Sequence, residues 1–144
     1  MAGIRVNTGI KRIEVNDDGD YITISLNDND FLDRFFALYE NIQRMAEESN
    51  QKGMAIQEKY KADDDKGGFL KETFSLYKEC GKDMMSEVDK LFGGGTCKKV
   101  FGDITPTFDL YLDFFEQLTP FLHEFAAEKT RRMSKYSADR MGNV

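Results

Sequence analysis

The stretch that decides the fold lies at residues 10–26 and reads IKRIEVNDDGDYITISL. Two short runs in it, 10–15 and 21–26, alternate apolar and polar residues, which is the pattern of a half-buried strand. Between them, residues 16–20 combine Asn, Asp and Gly19, a composition that suits a tight turn. The stretch therefore predicts a β-hairpin. Because an isolated hairpin is marginally stable in water, it must pack on the rest of the chain.

The remainder of the chain has the three-and-four spacing of apolar residues that is typical of helices. We predict three main helices at about 28–61, 69–92 and 106–135, and a short helical turn from Thr96 that ends before Gly102. The predicted fold class is α+β, mostly α, with an N-terminal β-hairpin (10–26) followed by three main helices packed as a bundle. Residues 1–136 form a single domain in this prediction, and residues 137–144 form a flexible tail.

The second helix carries a seam of apolar residues at heptad spacing that contains one glycine, Gly81. That glycine permits close approach of another segment or is a local weak point. Pro120 lies inside the third helix and predicts a kink near Thr119. The side chains that we predict to be largely buried come from these two helices and are Phe74, Tyr77, Met84, Val88, Phe108, Phe115, Leu118 and Leu122.

Composition excludes several classes of protein. A net charge of −6 over 144 residues argues against a general nucleic-acid binder, which needs a basic face. Two cysteines are too few for a disulfide framework. No apolar run approaches the roughly 20 residues of a membrane span, and residues 1–12 lack the apolar core of a secretory signal. The expectation is a cytoplasmic protein that binds neither membrane nor nucleic acid.

Few residues are suited to catalysis or to metal binding. The single histidine, His123, begins half of a zinc-protease motif, but Ala127 stands where the second histidine would be. Cys97 lies next to two lysines that would lower its pKa, yet no base accompanies it. We therefore predict no enzyme activity, no catalytic residues and no bound cofactor.

Three short segments resemble ligand sites but lack essential parts. The acidic turn at 16–20 lacks the glutamate that closes an EF-hand loop, and the acidic run at 63–65 lies in a glycine-containing linker. The glycine run at 93–95 leads into a helix start but lacks the Lys-Ser/Thr pair of a phosphate-binding loop. No metal site is predicted.

The helices carry more aromatic surface than one seam needs, and charge is unevenly distributed. Residues 129–144 have a net charge of +4, residues 1–12 of +3, and residues 13–128 of −13. The surplus aromatic residues either form a large core or form a surface that binds a partner. The basic end of the chain either contacts a partner or offsets the partial negative charge of a helix C-terminus. The predicted partner-binding residues combine both features and are Phe31, Phe35, Phe114, Phe121, Phe125, Lys129, Arg131 and Arg132.

Residues 88–102 read VDKLFGGGTCKKVFG and resemble a short element of the tail-assembly-chaperone-like proteins of phages and prophages of Gram-positive bacteria. The order of parts is similar as well: a β element, a first helix that begins Asp30-Phe31-Leu32, a second helix that ends in Leu-Phe-Gly, and a Phe-rich third helix that ends in Lys135-Tyr136. The likeness covers about residues 20–136.

The resemblance implies an assembly factor that is not a catalyst. Such chaperones bind the long helical tape-measure protein in the host cell cytoplasm, keep it soluble and assist assembly of the tail tube. The expected partner is thus a tape-measure or tail-tube protein, and self-association is a further expectation. The alternative from another class is a small acidic phage-encoded inhibitor of a host defence protein, which the −13 segment motivates.

Overall fold

The computed structural model describes residues 2–142, with the side chains of residues 2–137. Its elements are, in order, β1 (Ile10–Glu14), β2 (Tyr21–Ser25), α1 (Asn29–Lys59), α2 (Lys66–Phe92), α3 (Thr96–Phe101) and α4 (Phe108–Gly142). The predicted fold class, mostly helical with an N-terminal hairpin, is confirmed. The chain divides into two units, Met1–Leu112 and Asp113–Val144, which are described separately.

The hairpin is an antiparallel pair in which Ile13 lies opposite Ile22. These two side chains and Ile24 are buried, as the alternating pattern requires. The turn is organised by Asn16, whose Oδ1 accepts hydrogen bonds from the backbone N–H groups of Asp18 (2.9 Å) and Asp20 (3.2 Å). Its Nδ2 donates to the backbone oxygen of Lys99 (2.9 Å), which joins the turn to α3.

Helices α1 and α2 form an antiparallel pair. Phe31 and Phe35 at the start of α1 meet Phe92 at the end of α2, with ring centroids 6.2 and 6.4 Å apart. At the opposite end, the rings of Tyr60 and Phe69 are 5.9 Å apart. The buried apolar side chains between these ends are Leu38 and Ile42 from α1 and Cys80, Met84 and Val88 from α2.

Helix α2 begins three residues before its predicted start at residue 69. Asp65 caps it, and its Oδ1 accepts a hydrogen bond from the backbone N–H of Gly68 (2.9 Å). A capping side chain stabilises a helix start by about 1 kcal/mol, which offsets the helix-weakening effect of a glycine in the first turn. The linker that we predicted at 62–68 is correspondingly shorter.

Helix α4 also extends further than predicted, through Gly142 rather than to about residue 135. Residues 137–141, Ser-Ala-Asp-Arg-Met, contain neither glycine nor proline, so nothing in them terminates a helix before Gly142. The helix therefore takes in residues 137–142 of the segment that we predicted as a flexible tail. The last two residues of that segment, 143–144, lie outside the described residues.

Gly81 allows the segment before α4 to approach the α2 backbone closely. A Cβ atom at this position would collide with the backbone oxygen of Pro106. Beside this contact, the buried hydroxyl of Tyr111 donates to the backbone oxygen of Gly81 (3.1 Å), and the rings of Tyr77 and Phe108 lie 5.5 Å apart. Gly81 therefore packs against the loop before α4 and against the first turn of that helix.

The predicted core is correct in part. Met84, Val88, Phe115 and Leu118 are buried, and Tyr77, Phe108 and Leu122 are half-buried. The prediction is wrong for Phe74, which is 62% exposed. The seam of α2 is covered at Tyr77 and Gly81 by the residues around Pro106, and Phe74 lies one turn beyond that contact.

The second unit consists of α4 from Asp113 onward. The helix continues through Pro120, where the Thr119 hydroxyl donates to the backbone oxygen of Phe115 (2.9 Å). Within the described part of the chain, no helix is both long enough and apolar enough to cross a membrane.

Candidate partner-binding face

The predicted partner-binding residues separate into two groups. Phe31 and Phe35 are 8% and 4% exposed, and they pack on each other and on Phe92. Their rings therefore form the core of the first unit and are not presented to another molecule in this structure. The six other predicted residues all lie on α4, and the candidate site is built from those.

Helical geometry decides which of the α4 residues share a face. Successive residues turn by about 100°, so positions 121, 125, 129, 132 and 136 fall within about 40° of one line along the helix. We call this line the distal face; it comprises Phe121, Phe125, Lys129, Arg132 and Tyr136. Arg131 lies about 120° from the centre of the face and is therefore not part of it. Phe114 has the same orientation two turns earlier and stacks edge-on against Phe115.

The distal face is accessible to solvent. From Thr119 to Ser137, every side chain is exposed or half-buried. Phe121 is 42% exposed and Tyr136 is 62% exposed, while Lys129 and Arg132 lie between them along the helix. The face therefore passes from apolar aromatic rings to cationic side chains and ends in a tyrosine. Such a surface suits a helical partner that offers apolar side chains next to carboxylates.

The acidic segments that resemble metal sites use their carboxylates for local structure. In the linker, Asp63 accepts a hydrogen bond from the backbone N–H of Asp65 (3.2 Å), and Asp65 caps α2. In the hairpin turn, Asp20 accepts from the Asn16 amide (2.8 Å). No group of three His, Cys, Asp or Glu side chains converges anywhere among the described residues.

The hydrogen-bonding groups around the glycine run before α3 likewise have partners within the chain. The carboxylate of Asp89 accepts a hydrogen bond from the backbone N–H of Cys97 (2.9 Å), and the Thr96 hydroxyl donates to the backbone oxygen of Gly93 (2.8 Å). A carboxylate thus already occupies the helix start that a phosphate would need, and its charge would repel an anion.

Cys97 is poorly suited to act as a nucleophile. Burial and the neighbouring carboxylate of Asp89 raise the pKa of its thiol to about 12, although the nearby Tyr111 hydroxyl has a smaller opposing effect. The adjacent lysines do not produce the lowered pKa that the sequence suggested, because they are exposed while the thiol is buried. Burial, together with the cysteine, also raises the pKa of Tyr111. Both groups are therefore neutral at physiological pH.

A surface cleft of about 460 Å³ opens where α1 meets α2, lined by the end of α1, the linker and the start of α2. Tyr60 on its wall donates a hydrogen bond to Glu72 (2.8 Å), which also pairs with Lys59 (3.2 Å). These two contacts lower the pKa of Glu72, the tyrosine contact having the larger effect. Tyr60, Lys59 and Glu72 thus pair with one another, and the geometry indicates a stabilised helix end.

Of the predicted partner-binding residues, those on α4 share one face except Arg131. The distal face also takes in Tyr136, which the sequence prediction did not include, and the angular position of each residue on a continuous helix distinguishes the two. Comparisons with curated proteins and with solved structures each gave no match. One family model matches, over residues 18–143, and the chain therefore belongs to the family that it describes, the Family of unknown function (DUF6673).

Proposed function

We propose that this protein is a non-catalytic phage assembly factor, a tail assembly chaperone that binds the tape-measure protein and assists tail-tube assembly in the host cytoplasm. The observation that carries the proposal is the distal face, where the exposed ring of Phe121 and the half-buried ring of Phe125 precede exposed cations on one side of α4. The resemblance of residues 88–102 to tail-assembly-chaperone-like proteins supplies the identity of the partner.

The chemistry of the face fits a chaperone of long helices. A tape-measure protein offers amphipathic helical segments, and helix-on-helix binding is anchored by large apolar side chains at positions such as 121 and 125. Arg132 can reach carboxylates that flank an apolar stripe. Binding of this kind shields the apolar stripe from water, which keeps the partner in solution until the tail tube assembles around it.

Co-expression with a tape-measure segment tests the proposal. The wild-type chain should form a complex that survives purification, and Phe121→Asp or Arg132→Glu should weaken it at least tenfold. Arg131→Glu is the matched control, since it makes the same charge change outside the distal face and should leave the affinity within about twofold, the range expected for a residue at the rim. Equal weakening by Arg131→Glu and Arg132→Glu would contradict the role of the face, and failure of the wild-type chain to bind any tape-measure segment would remove the proposal.

A second function, an acidic inhibitor of a host defence protein, is favoured by one observation on α1. Asp33, Glu40, Glu47 and Glu58 are exposed, and their spacings of 7, 7 and 11 residues place them on one face of the helix. A protein that imitates nucleic acid needs such an array. The exposed apolar side chains of Phe36 and Met54 interrupt it, however, which favours the chaperone. Competition with a DNA duplex for a DNA-binding defence protein would support the inhibitor.

A further inference from the structure

The segment before the hairpin, residues 2–9, has the composition of a strand but no strand partner. Ile4, Val6 and Thr8 are β-branched and alternate with Gly3, Arg5 and Asn7. In the structure the segment is not part of either strand, and Ile4 and Val6 are 92% and 79% exposed. In an extended conformation Ile4 and Val6 would share one face, and that face could pack on a neighbouring strand.

The junction between this segment and β1 is formed by a left-handed glycine and two side-chain hydrogen bonds. Gly9 has a φ of +71°, and a Cβ atom at this position would collide with the side-chain amide of Asn27. That amide donates to the backbone oxygen of Thr8 (3.0 Å), and the backbone N–H of Gly9 donates to the side chain of Asn7 (2.9 Å). The left-handed glycine therefore ends the strand before residue 10, and the first of these hydrogen bonds holds Thr8 beside Asn27.

The sheet of this chain offers a place for an added strand. In the described chain it has two strands, so each strand has one side without a neighbouring strand. Sheets of two strands gain stability from a third. Charge distinguishes the two edges: β1 carries Lys11, Arg12 and Glu14, a net charge of +1, whereas β2 is uncharged. Acidic residues flank β2 on both sides, at 17–20 before it and at 28–33 after it.

We infer that residues 3–8 of one copy pair as an added strand with the β2 edge of a second copy. The segment carries one charge, that of Arg5, and its sign is opposite to that of the carboxylates that flank β2. Strand addition supplies backbone hydrogen bonds, and the alternating side chains supply the apolar contact. Two copies that exchange segments in this way make the same contact twice, as a closed dimer does. This inference does not depend on the proposed function, since residues 3–8 include none of the residues of the distal face.

Sedimentation and amide hydrogen exchange of the full chain test the inference. Between about 1 and 100 μM, a range that spans a weak micromolar dimer, the chain should pass from monomer to dimer. Over the same range, alternate amides in residues 3–8 should become protected, because only every second N–H of an edge strand faces its neighbour. A monomer at all concentrations, uniform exchange, or protection that does not depend on concentration would each overturn the inference.

Two adjacent substitutions separate strand addition from unspecific association. Ile4→Asp places a charge on the apolar face and should weaken the dimer at least tenfold. Gly3→Asp adds the same charge on the opposite face, at a position with no atom nearby; it offsets the charge of Arg5 but leaves the apolar face intact, so it should weaken the dimer far less than Ile4→Asp does. Neither residue contributes to the hairpin or to the helices, so both variants should fold as the wild type does. A dimer that tolerates Ile4→Asp would contradict the inference.

Discussion

Gly81→Ala tests the close contact between α2 and the residues around Pro106. Alanine is the better helix former by about 1 kcal/mol, so helix propensity alone predicts a more stable protein. The structure predicts the opposite. The added methyl group would lie closer to the Pro106 oxygen than the 3.0 Å that Cβ atoms keep, and the obstructing atom belongs to the backbone. The segment must therefore move away from α2.

The cost of that movement follows from the contacts that it breaks. The buried hydrogen bond from Tyr111 to the Gly81 oxygen is lost, which costs about 1–3 kcal/mol when a buried donor is left without an acceptor. The ring contact between Tyr77 and Phe108 contributes about 0.5–1.5 kcal/mol beyond the area that it buries. After subtracting the gain in helix propensity, we expect Gly81→Ala to lower the free energy of unfolding by about 1–3 kcal/mol.

The control is the same substitution in α1. At Gly53 the one tight contact of a Cβ atom would be with the hydroxyl of Tyr77, at 3.2 Å, and a side-chain tip can shift by a few tenths of an ångström. Gly53→Ala should therefore be neutral or stabilise by up to about 1 kcal/mol. Urea unfolding monitored by circular dichroism measures both variants. If Gly81→Ala stabilises the chain as much as Gly53→Ala does, the close contact at Pro106 does not exist in solution.

Three further outcomes are expected. Phe35→Ala should lower the free energy of unfolding by about 3–5 kcal/mol in urea titrations, because the ring is buried against Phe92. If the ring were instead on the surface, the urea midpoint of unfolding would not change. Asn16→Ala removes the side chain that organises the hairpin turn, and a thermal melt should show that the free energy of unfolding falls by about 1–2 kcal/mol. A fall of less than a few tenths of a kcal/mol would mean that the turn forms without this side chain. The pKa of Cys97 is about 12 in the folded chain, against 9.0 ordinarily. Its contribution to stability is therefore complete below pH 9 and is lost as the pH rises towards 12, because only the unfolded thiol ionises in that window. The urea midpoint of Cys97→Ala should fall less steeply above pH 9 than that of the wild type, and parallel curves would refute the assignment.

Local patterns predicted most of the fold. The alternation on either side of residues 16–20 predicted both strands, and Thr96 and Gly102 bounded α3. The ends of α2 and α4 were misjudged for local reasons as well. Asp65 caps α2 ahead of the glycines at 67 and 68, and nothing before Gly142 stops the last helix.

The candidate site was harder to predict, because a helical pattern shows which residues share a face but not which molecule covers that face. Phe35 and Phe74 both recur in the apolar pattern of a helix, yet the first is buried against Phe92 and the second is exposed. Cys97 shows the same limit for electrostatics. The adjacent lysines are visible in the sequence, whereas Asp89 reaches the thiol only through the turn between α2 and α3. Contacts between distant residues decided each of these cases.

The two ends of the α1–α2 pair are held by different kinds of contact, and this has a consequence for how the pair opens. Three phenylalanine rings close the end at Phe92, whereas the end at Tyr60 depends on one ring contact and on hydrogen bonds and an ion pair near the surface. Buried rings stabilise far more than surface ion pairs do. Local unfolding of the pair should therefore begin at the linker, residues 60–65, and progress towards Phe92. Between these two helices, the linker is where a protease should first cut the folded chain.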